Sequence, residues 1–191
     1  MFSFSLLQGV YQLNTNEKTI CFSGEVKLTV TSPLHNFCQS LADGLGAGGG
    51  LRLGMGEAKV EKIETRMPLV EKEEVVVRTL SPVVLYSTFR RPEGKKYTVY
   101  FQPGDPDYDR LLHENLYNKY RAFYGTGPPA GQVGAKALGQ QKKRIIDFNG
   151  TIIQGYSGKL ILTGPVPLLQ LALDGGLGGK NSQGFGCLEM I

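Results

Sequence analysis

The chain has 191 residues and a net charge of +4, and 41% of its residues are hydrophobic. This length and apolar content support one medium or two small packed domains and argue against a disordered chain. No apolar run approaches the roughly 20 residues of a membrane span, and the first residues lack the basic start and cleavage site of a signal peptide. We therefore expect a cytoplasmic protein, whose positive charge favours an anionic partner.

In the first half, the sequence predicts a strand, a helix and a second strand. The β-branched run at residues 26–30 is typical of a strand, and Ser32-Pro33 supplies a cap and a proline for the first helical turn. A helix follows, because apolar residues recur every three to four positions: Leu34, Phe37, Leu41 and Leu45. We predict a flexible turn at residues 46–56 and a strand at residues 59–65, KVEKIET.

The segment at residues 65–74, TRMPLVEKEE, predicts a boundary between a first domain at 1–70 and a second at 71–191. The second half then supplies two helices and four strands. In chain order we predict a strand at 75–87, a helix within 105–125, a mobile loop at 125–141, strands at 142–156 and 159–163, a helix after Pro165, a glycine-rich loop, and a strand at 186–191.

This βαββαβ order is that of a ferredoxin-like (RRM-like) domain, in which two helices cover one face of a four-stranded antiparallel sheet. An internal repeat supports a second such unit, since Lys27–Gly46 aligns without a gap on Lys159–Gly178 with eight identities in twenty positions. We predict an α+β fold of tandem ferredoxin-like domains, the first of which lacks its opening strand and helix. Without that central strand, the strand at 59–65 would leave unpaired backbone groups. We therefore expect a chain that is truncated or that receives a strand from elsewhere.

The C-terminal glycine-rich loop, GLGGKNSQGFG at residues 176–186, raises the question of a nucleotide site. A GxxxxGK[ST] phosphate loop would need glycine in place of Asp174 and Ser or Thr in place of Asn181. It would also run from a strand to a helix, whereas this loop runs from a helix to a strand. The GxGxxG pattern fails at Asn181 as well. These mismatches argue against an ATP or NAD site, and we expect no cofactor and no metal ion.

The loop follows a different pattern, GhGxxxxxGhG, in which h is a hydrophobic residue. Together with RTLSPVV, DPDYDRLLHENLYNKYRAFYG and GTIIQGYSGKLILTGP, it makes nearly the whole chain similar to the CRISPR repeat-processing endoribonucleases of the RAMP superfamily. Glycines let a sugar-phosphate backbone approach closely, and the polar side chains add donors and a charge. We expect RNA contacts from Gly176, Gly178, Lys180, Asn181, Ser182, Gly184 and Gly186.

The resemblance implies that the protein binds CRISPR repeat RNA (pre-crRNA) and cuts it into guide units without metal. In that family a ribose 2′-hydroxyl attacks the adjacent phosphate and leaves a 2′,3′-cyclic phosphate, which requires an acid, a base and a stabilising cation. A histidine from the opening helix region of the first domain takes part in many members. Because we expect that region to be missing, the catalytic residues stay unknown. Two protein partners stay open, namely a second copy of the chain and a CRISPR effector complex.

Other residues have two interpretations. Lys142-Lys143-Arg144 is either a solubilising strand edge or a contact to RNA phosphates. His35 and His113 do not match the family's catalytic position, and we expect ordinary surface or half-buried histidines. Two other functions stay open, namely a non-catalytic RNA-binding subunit of an effector complex and a structural subunit without RNA contacts. We expect packing roles for the helix tyrosines Tyr117, Tyr120 and Tyr124.

Overall fold

The computed structural model describes residues 1–17, 19–48, 50–54, 56–148 and 150–191. Its first half contains three two-stranded antiparallel pairings, β1 with β4, β2 with β3 and β5 with β6, and one helix. The elements are β1 (Ser3–Phe4), β2 (Gln8–Asn14), β3 (Thr19–Lys27), β4 (Val30–Thr31), α1 (His35–Gly48), β5 (Gly50–Leu53) and β6 (Gly56–Lys59). The first four strands form one long, interrupted hairpin, so the described order is hairpin, helix, hairpin.

The second half forms a four-stranded antiparallel sheet in the order β10-β11-β7-β12. Its elements are β7 (Glu74–Thr79), β8 (Tyr86–Arg90), β9 (Lys96–Tyr100), α2 (Tyr108–Tyr124), β10 (Gly134–Phe148), β11 (Thr151–Thr163), α3 (Val166–Gly175), a 3-10 turn (Asn181–Gln183) and β12 (Leu188–Met190). The opening strand β7 lies between the third and fourth strands of the βαββαβ unit. The predicted ferredoxin-like fold is confirmed, with the β8–β9 hairpin inserted after its first strand.

One face of this sheet packs against α2 and α3 and forms the main core. Alternate residues of the central strands point to this face, because side chains of a strand alternate between its two sides. The core comprises Val75, Val77, Leu160 and Leu162 from the strands and Leu112, Leu116, Leu168, Leu169 and Ala172 from the helices. Arg78 follows the core residue Val77, and Lys159 precedes the core residue Leu160. These two basic residues are paired across β7 and β11 and lie on the opposite face. The open face of the sheet is therefore basic at its centre.

Two predictions in the first half are wrong. Residues 60–65 form no strand, because β6 ends at Lys59 and no described strand lies beside this segment. The turn predicted at 46–56 is instead the end of α1 followed by the β5–β6 hairpin, with residues 49 and 55 outside the described residues.

In the second repeat copy the side chain of Asn181 closes the loop after the helix. The aligned residue in the first copy is Gly49, which has no side chain to do so.

Two predictions in the second half need correction as well. The mobile loop predicted at 125–141 is partly strand, since β10 begins at Gly134 and accommodates the glycine and glutamine residues through an irregular register between Leu138 and Lys142. The segment predicted as one strand at 142–156 is divided, since β10 ends at Phe148 and β11 begins at Thr151, with residue 149 outside the described residues. Asn-Gly is a strong hairpin signal, and Gly150 has the required positive φ of 78°.

The predicted strand at 75–87 is interrupted after Thr79. The backbone N–H groups of Leu80 and Ser81 both donate to the carbonyl of Cys187, and Pro82 has no N–H to offer. The chain therefore leaves the sheet and restarts as β8 at Tyr86. In the parts of the chain that the structure describes, none of the helices is long and apolar enough to cross a membrane.

Replacing Leu162 by alanine tests the assigned core. Its side chain is fully buried between the sheet and the helices, so Leu162→Ala is expected to lower the free energy of unfolding by about 2–5 kcal/mol. Leu138→Ala is the matched control on the same hairpin, because Leu138 is 45% exposed. Denaturant unfolding followed by circular dichroism measures both. Equal destabilisation by the two changes would contradict the assigned core face.

Candidate functional site

The glycine-rich loop, residues 176–186, lies at the junction of the two halves. On one side Gly179 N–H donates to the carbonyl of Val84 at 2.7 Å, and Gly186 N–H donates to that of Pro82 at 2.8 Å. On the other side Gly184 faces the ring of Phe4 in β1 so closely that a Cβ atom would lie 2.7 Å from it. The loop is therefore held between β1 of the first half and the segment that precedes β8.

The glycines of this loop are required by contacts within the protein. Gly176, Gly178, Gly184 and Gly186 all have φ between 71° and 86°, a region that side-chain-bearing residues rarely adopt. A Cβ atom on Gly178 would lie 2.5 Å from the carbonyl oxygen of Val84, and one on Gly176 the same distance from the side-chain nitrogen of Asn181. The four glycines are buried and shape the loop, and their predicted RNA contacts stay a prediction.

Asn181 closes the loop from inside. Its side-chain amide donates to the carbonyls of Leu177 at 3.2 Å and Phe185 at 3.0 Å, and its side chain is only 8% exposed. The RNA contact that the sequence predicts for Asn181 stays a prediction. Both N–H groups of its side-chain amide are directed at carbonyls of the loop. The exposed residues of the loop are Ser182 and Gln183, next to the half-buried Lys180.

Lys180 directs its charge outward over an aromatic ring. It adopts a left-handed backbone conformation with φ 61°, and its Nζ atom lies 5.6 Å from the ring centroid of Tyr86. That ring lies 6.0 Å from the ring of Tyr100 and is itself 40% exposed. A cation above an exposed tyrosine offers one group for a phosphate and one for a base. Sequence reasoning missed Tyr86, because it lies in a strand pattern with no separate signal.

Lys142, Lys143 and Arg144 are linked to the loop through a continuous backbone ladder. Lys143 pairs with Tyr156 across β10 and β11, Tyr156 bridges to Val83, and Val84 bridges to Gly178 and Gly179. The close approach at the second step requires Gly155, where a Cβ atom would lie 2.9 Å from Pro82. Three strand spacings of about 4.8 Å place the two basic segments roughly 14 Å apart. The structure thus brings the two predicted basic elements together.

Two further cations accompany Lys142 on the open face of the sheet. A shallow pocket of about 230 Å³ is lined by Lys142, Arg78 and Lys159, with polar groups from the neighbouring residues Thr79, Gln140, Ser157 and Gly158. Arg78 also forms an ion pair with Glu189 of β12. Lys142 therefore lies within a basic surface rather than at an isolated strand edge.

Lys119 of α2 is a half-buried residue whose ammonium group lies against the loop backbone, and sequence reasoning did not single it out. Its ammonium group donates to the carbonyls of Gly176 at 2.6 Å and Gly178 at 2.7 Å. Burial lowers the pKa of Lys119 to about 7, whereas the two carbonyls favour the charged ammonium. The sequence contains a signal, because Lys119 follows the buried Leu112 and Leu116 by seven and three positions and so lies on the apolar stripe of the helix.

The two histidines lie on the helices α1 and α2, and the contacts described for His113 are to Val133 and Tyr117. His113 accepts a hydrogen bond from the backbone N–H of Val133 at 3.3 Å and lies against the ring of Tyr117, which fits the predicted half-buried role. His35 is exposed at the start of α1. Burial raises the pKa of nearby Asp174, and the hydrogen bond from the Gln170 amide counteracts the effect. The rings of Tyr120 and Tyr124 pack together at 4.4 Å.

The family is decided by a match over most of the second half and the boundary segment. Residues 63–190 match the family model described as CRISPR associated protein Cas6, C-terminal. The chain belongs to the Cas6 family. The resemblance to CRISPR-associated endoribonucleases and RAMP proteins is thereby confirmed.

Individual relatives agree with this assignment. The chain is 29% identical to a CRISPR-associated endoribonuclease, Cas6 1 of Methanocaldococcus jannaschii, over all of this chain and 73% of the relative. Its structure is similar to that of a CRISPR associated protein Cas6 with a TM-score of 0.84 and 26% identity, covering all of this chain and 78% of the other. A RAMP protein described as binding different RNA substrates shares the fold, with a TM-score of 0.84 at 20% identity and coverage of 100% and 79%.

Asn181→Ala tests whether the buried amide holds the loop. The change removes two hydrogen bonds and leaves the carbonyls of Leu177 and Phe185 without this donor. It is therefore expected to lower the free energy of unfolding by about 1–3 kcal/mol. Ser182→Ala, at the exposed neighbouring position, is the control and is expected to change it by less than about 0.5 kcal/mol. Thermal unfolding of both variants gives the comparison. Equal stability of Asn181→Ala and the parent protein would contradict the assigned role.

Proposed function

We propose that the protein binds CRISPR repeat RNA along the surface that joins the glycine-rich loop to Lys142, Lys143 and Arg144. The observation that carries this proposal is the backbone ladder through Tyr156, Val83 and Val84, which connects the two basic segments. Lys180 and the basic residues of β10 can then contact phosphates of one RNA segment, with Lys142 and Arg144 on one face of the strand and Lys143 on the other. Such contacts supply affinity without reading sequence.

The exposed tyrosine beside Lys180 adds a second kind of contact. Base stacking on an aromatic face is sequence-tolerant and combines with phosphate contacts in proteins that bind single-stranded RNA. Tyr86 is placed for this role, because its ring is 40% exposed and faces the ammonium of Lys180. The RNA substrates named for the RAMP relative support RNA as the ligand class. The domain division at 1–70 and 71–191 belongs to the same proposal, with the loop at the junction.

The proposed activity is cleavage of pre-crRNA, which the similarity to a CRISPR-associated endoribonuclease supports. The 2′-hydroxyl attacks the adjacent phosphate, the bond to the 5′-oxygen breaks, and the products carry a 2′,3′-cyclic phosphate and a 5′-hydroxyl. No metal ion is needed for this internal attack, because the nucleophile belongs to the RNA. Its transition state gains from a nearby cation, and Lys180 is the candidate in the loop.

Charge removal tests the binding surface. We expect Lys180→Met and the triple change of Lys142, Lys143 and Arg144 to methionine to weaken repeat-RNA affinity, the triple change by about tenfold, or about 1.4 kcal/mol. The slope of log affinity against log salt should fall by about one for each phosphate contact removed. Lys72→Met, an exposed lysine between the halves, is the charge-matched control. Unchanged affinity and slope in both site variants would contradict the assigned surface.

Cleavage is tested by incubating the protein with end-labelled repeat RNA in excess chelator. The expected result is one cleavage site and a product end that carries a 2′,3′-cyclic phosphate. An all-2′-deoxy repeat lacks the nucleophile and should bind without being cut. Binding of the RNA repeat without cleavage would reject the nuclease activity for this chain and favour the non-catalytic RNA-binding alternative. Absence of both binding and cleavage would favour the structural alternative.

A further inference from the structure

We propose that Lys119 is a positioning residue for RNA binding, which holds the glycine-rich loop from beneath through the carbonyls of Gly176 and Gly178. The inference rests on the proposed function, because it takes the outer surface of this loop to contact RNA. It concerns a half-buried side chain whose ammonium group is engaged by the loop backbone. Its ammonium lies 2.6 Å and 2.7 Å from the two carbonyl oxygens.

The electrostatics of Lys119 indicate a role beyond filling space. Its position on α2 belongs to the apolar stripe of Leu112 and Leu116, where leucine or methionine would pack without desolvating a charge. In the described residues Lys119 takes part in no ion pair, and burial disfavours its charge. A buried cation that is held only by neutral carbonyls leaves its charge uncompensated by the protein. What the ammonium group supplies at this position is the pair of hydrogen bonds to the loop carbonyls, which leucine or methionine would lack.

The geometry connects the buried lysine to the exposed one over a short stretch of backbone. Gly176 and Gly178 have φ of 86° and 71°, and their carbonyls accept from Lys119 on the inner side. Gly179 N–H donates to Val84, and Lys180 then directs its ammonium outward over Tyr86. Fixing the carbonyl of Gly178 therefore restricts the peptide planes that determine where Lys180 lies.

A second buried polar group lies on the same face of α2. Asn115 precedes Lys119 by four residues, one helical turn, and so shares its side of the helix. Its Oδ1 atom is buried and has no hydrogen-bond partner among the described residues. This side of α2 therefore carries two polar side chains beside the apolar stripe of Leu112 and Leu116.

A double-mutant cycle on the full chain distinguishes positioning from general stability. Lys119→Met is combined with Lys180→Met, and affinity for the repeat RNA is measured at one salt concentration. We expect Lys119→Met to weaken binding about tenfold in the parent protein and less than twofold when Lys180 is already methionine, because the first acts through the second. Lys119→Arg should restore much of the affinity. Arg121→Met, an exposed cation on the same helix, should leave binding unchanged.

Equal weakening by Lys119→Met in both backgrounds, or no weakening in either, would overturn the inference. Failure of the parent protein to bind repeat RNA would instead overturn the proposed function, and the inference with it. Should Lys119→Met fail to fold, the parent protein is labelled with 13C-lysine and titrated with repeat RNA, with the Lys119 signal assigned from Lys119→Arg. A shift of the Lys119 signal together with that of Lys180 supports positioning. A shift of Lys180 alone overturns it.

Discussion

The contact between Val84 and the glycines at 178 and 179 is the constraint on which the site depends. A Cβ atom on Gly178 would lie 2.5 Å from the carbonyl oxygen of Val84, so no side chain fits there. The same oxygen accepts a hydrogen bond from the N–H of Gly179 at 2.7 Å. This contact fixes the loop relative to the sheet, because Val83 is bridged to Tyr156 of β11. The loop is thus an extension of the sheet edge, although its residues are not in a regular strand.

The same contacts determine which groups of the loop remain for a ligand. The side chain of Asn181 donates to the carbonyls of Leu177 and Phe185 within the loop. Lys119 of α2 donates to the carbonyls of Gly176 and Gly178. Lys180 is left on the outer side, beside exposed Ser182. A buried polar network with all donors directed inward makes the loop rigid, and a rigid loop loses little conformational freedom when it binds.

The sequence predicted the second half better than the first for a physical reason. In the second half the apolar periodicity matches a real core, so β7, α2, α3 and their order follow from residues such as Leu112, Leu160 and Leu168. In the first half α1 has no buried residue among those described, and β2 is exposed at all but one position. The spacing of apolar residues there does not correspond to a packed core and so predicts the elements poorly. The strand at 59–65 failed because pairing needs a neighbour, which propensity does not reveal.

For the site, the sequence located the loop and the basic segment but not their chemistry. The GhGxxxxxGhG spacing reflects close contacts to Val84, Phe4 and Asn181, which no spacing rule identifies without the fold. The nearness of Lys143 to the loop depends on pairings through Tyr156 and Val83, between segments far apart in the chain. Lys119 was visible as a charge on an apolar stripe, but only the fold shows the carbonyls that it serves.

The position of the loop between the halves makes its geometry sensitive to how they pack. The ring of Phe4 in β1 lies against Gly184. The carbonyl of Phe4 accepts a hydrogen bond from the hydroxyl of Ser81, and that hydroxyl accepts one from the N–H of Cys187. Leu6 N–H also donates to the carbonyl of Leu80. The first half therefore supports the loop and its neighbouring segment through backbone and hydroxyl contacts together with the ring of Phe4. Because Phe4 covers Gly184, displacement of β1 would remove one wall of the loop.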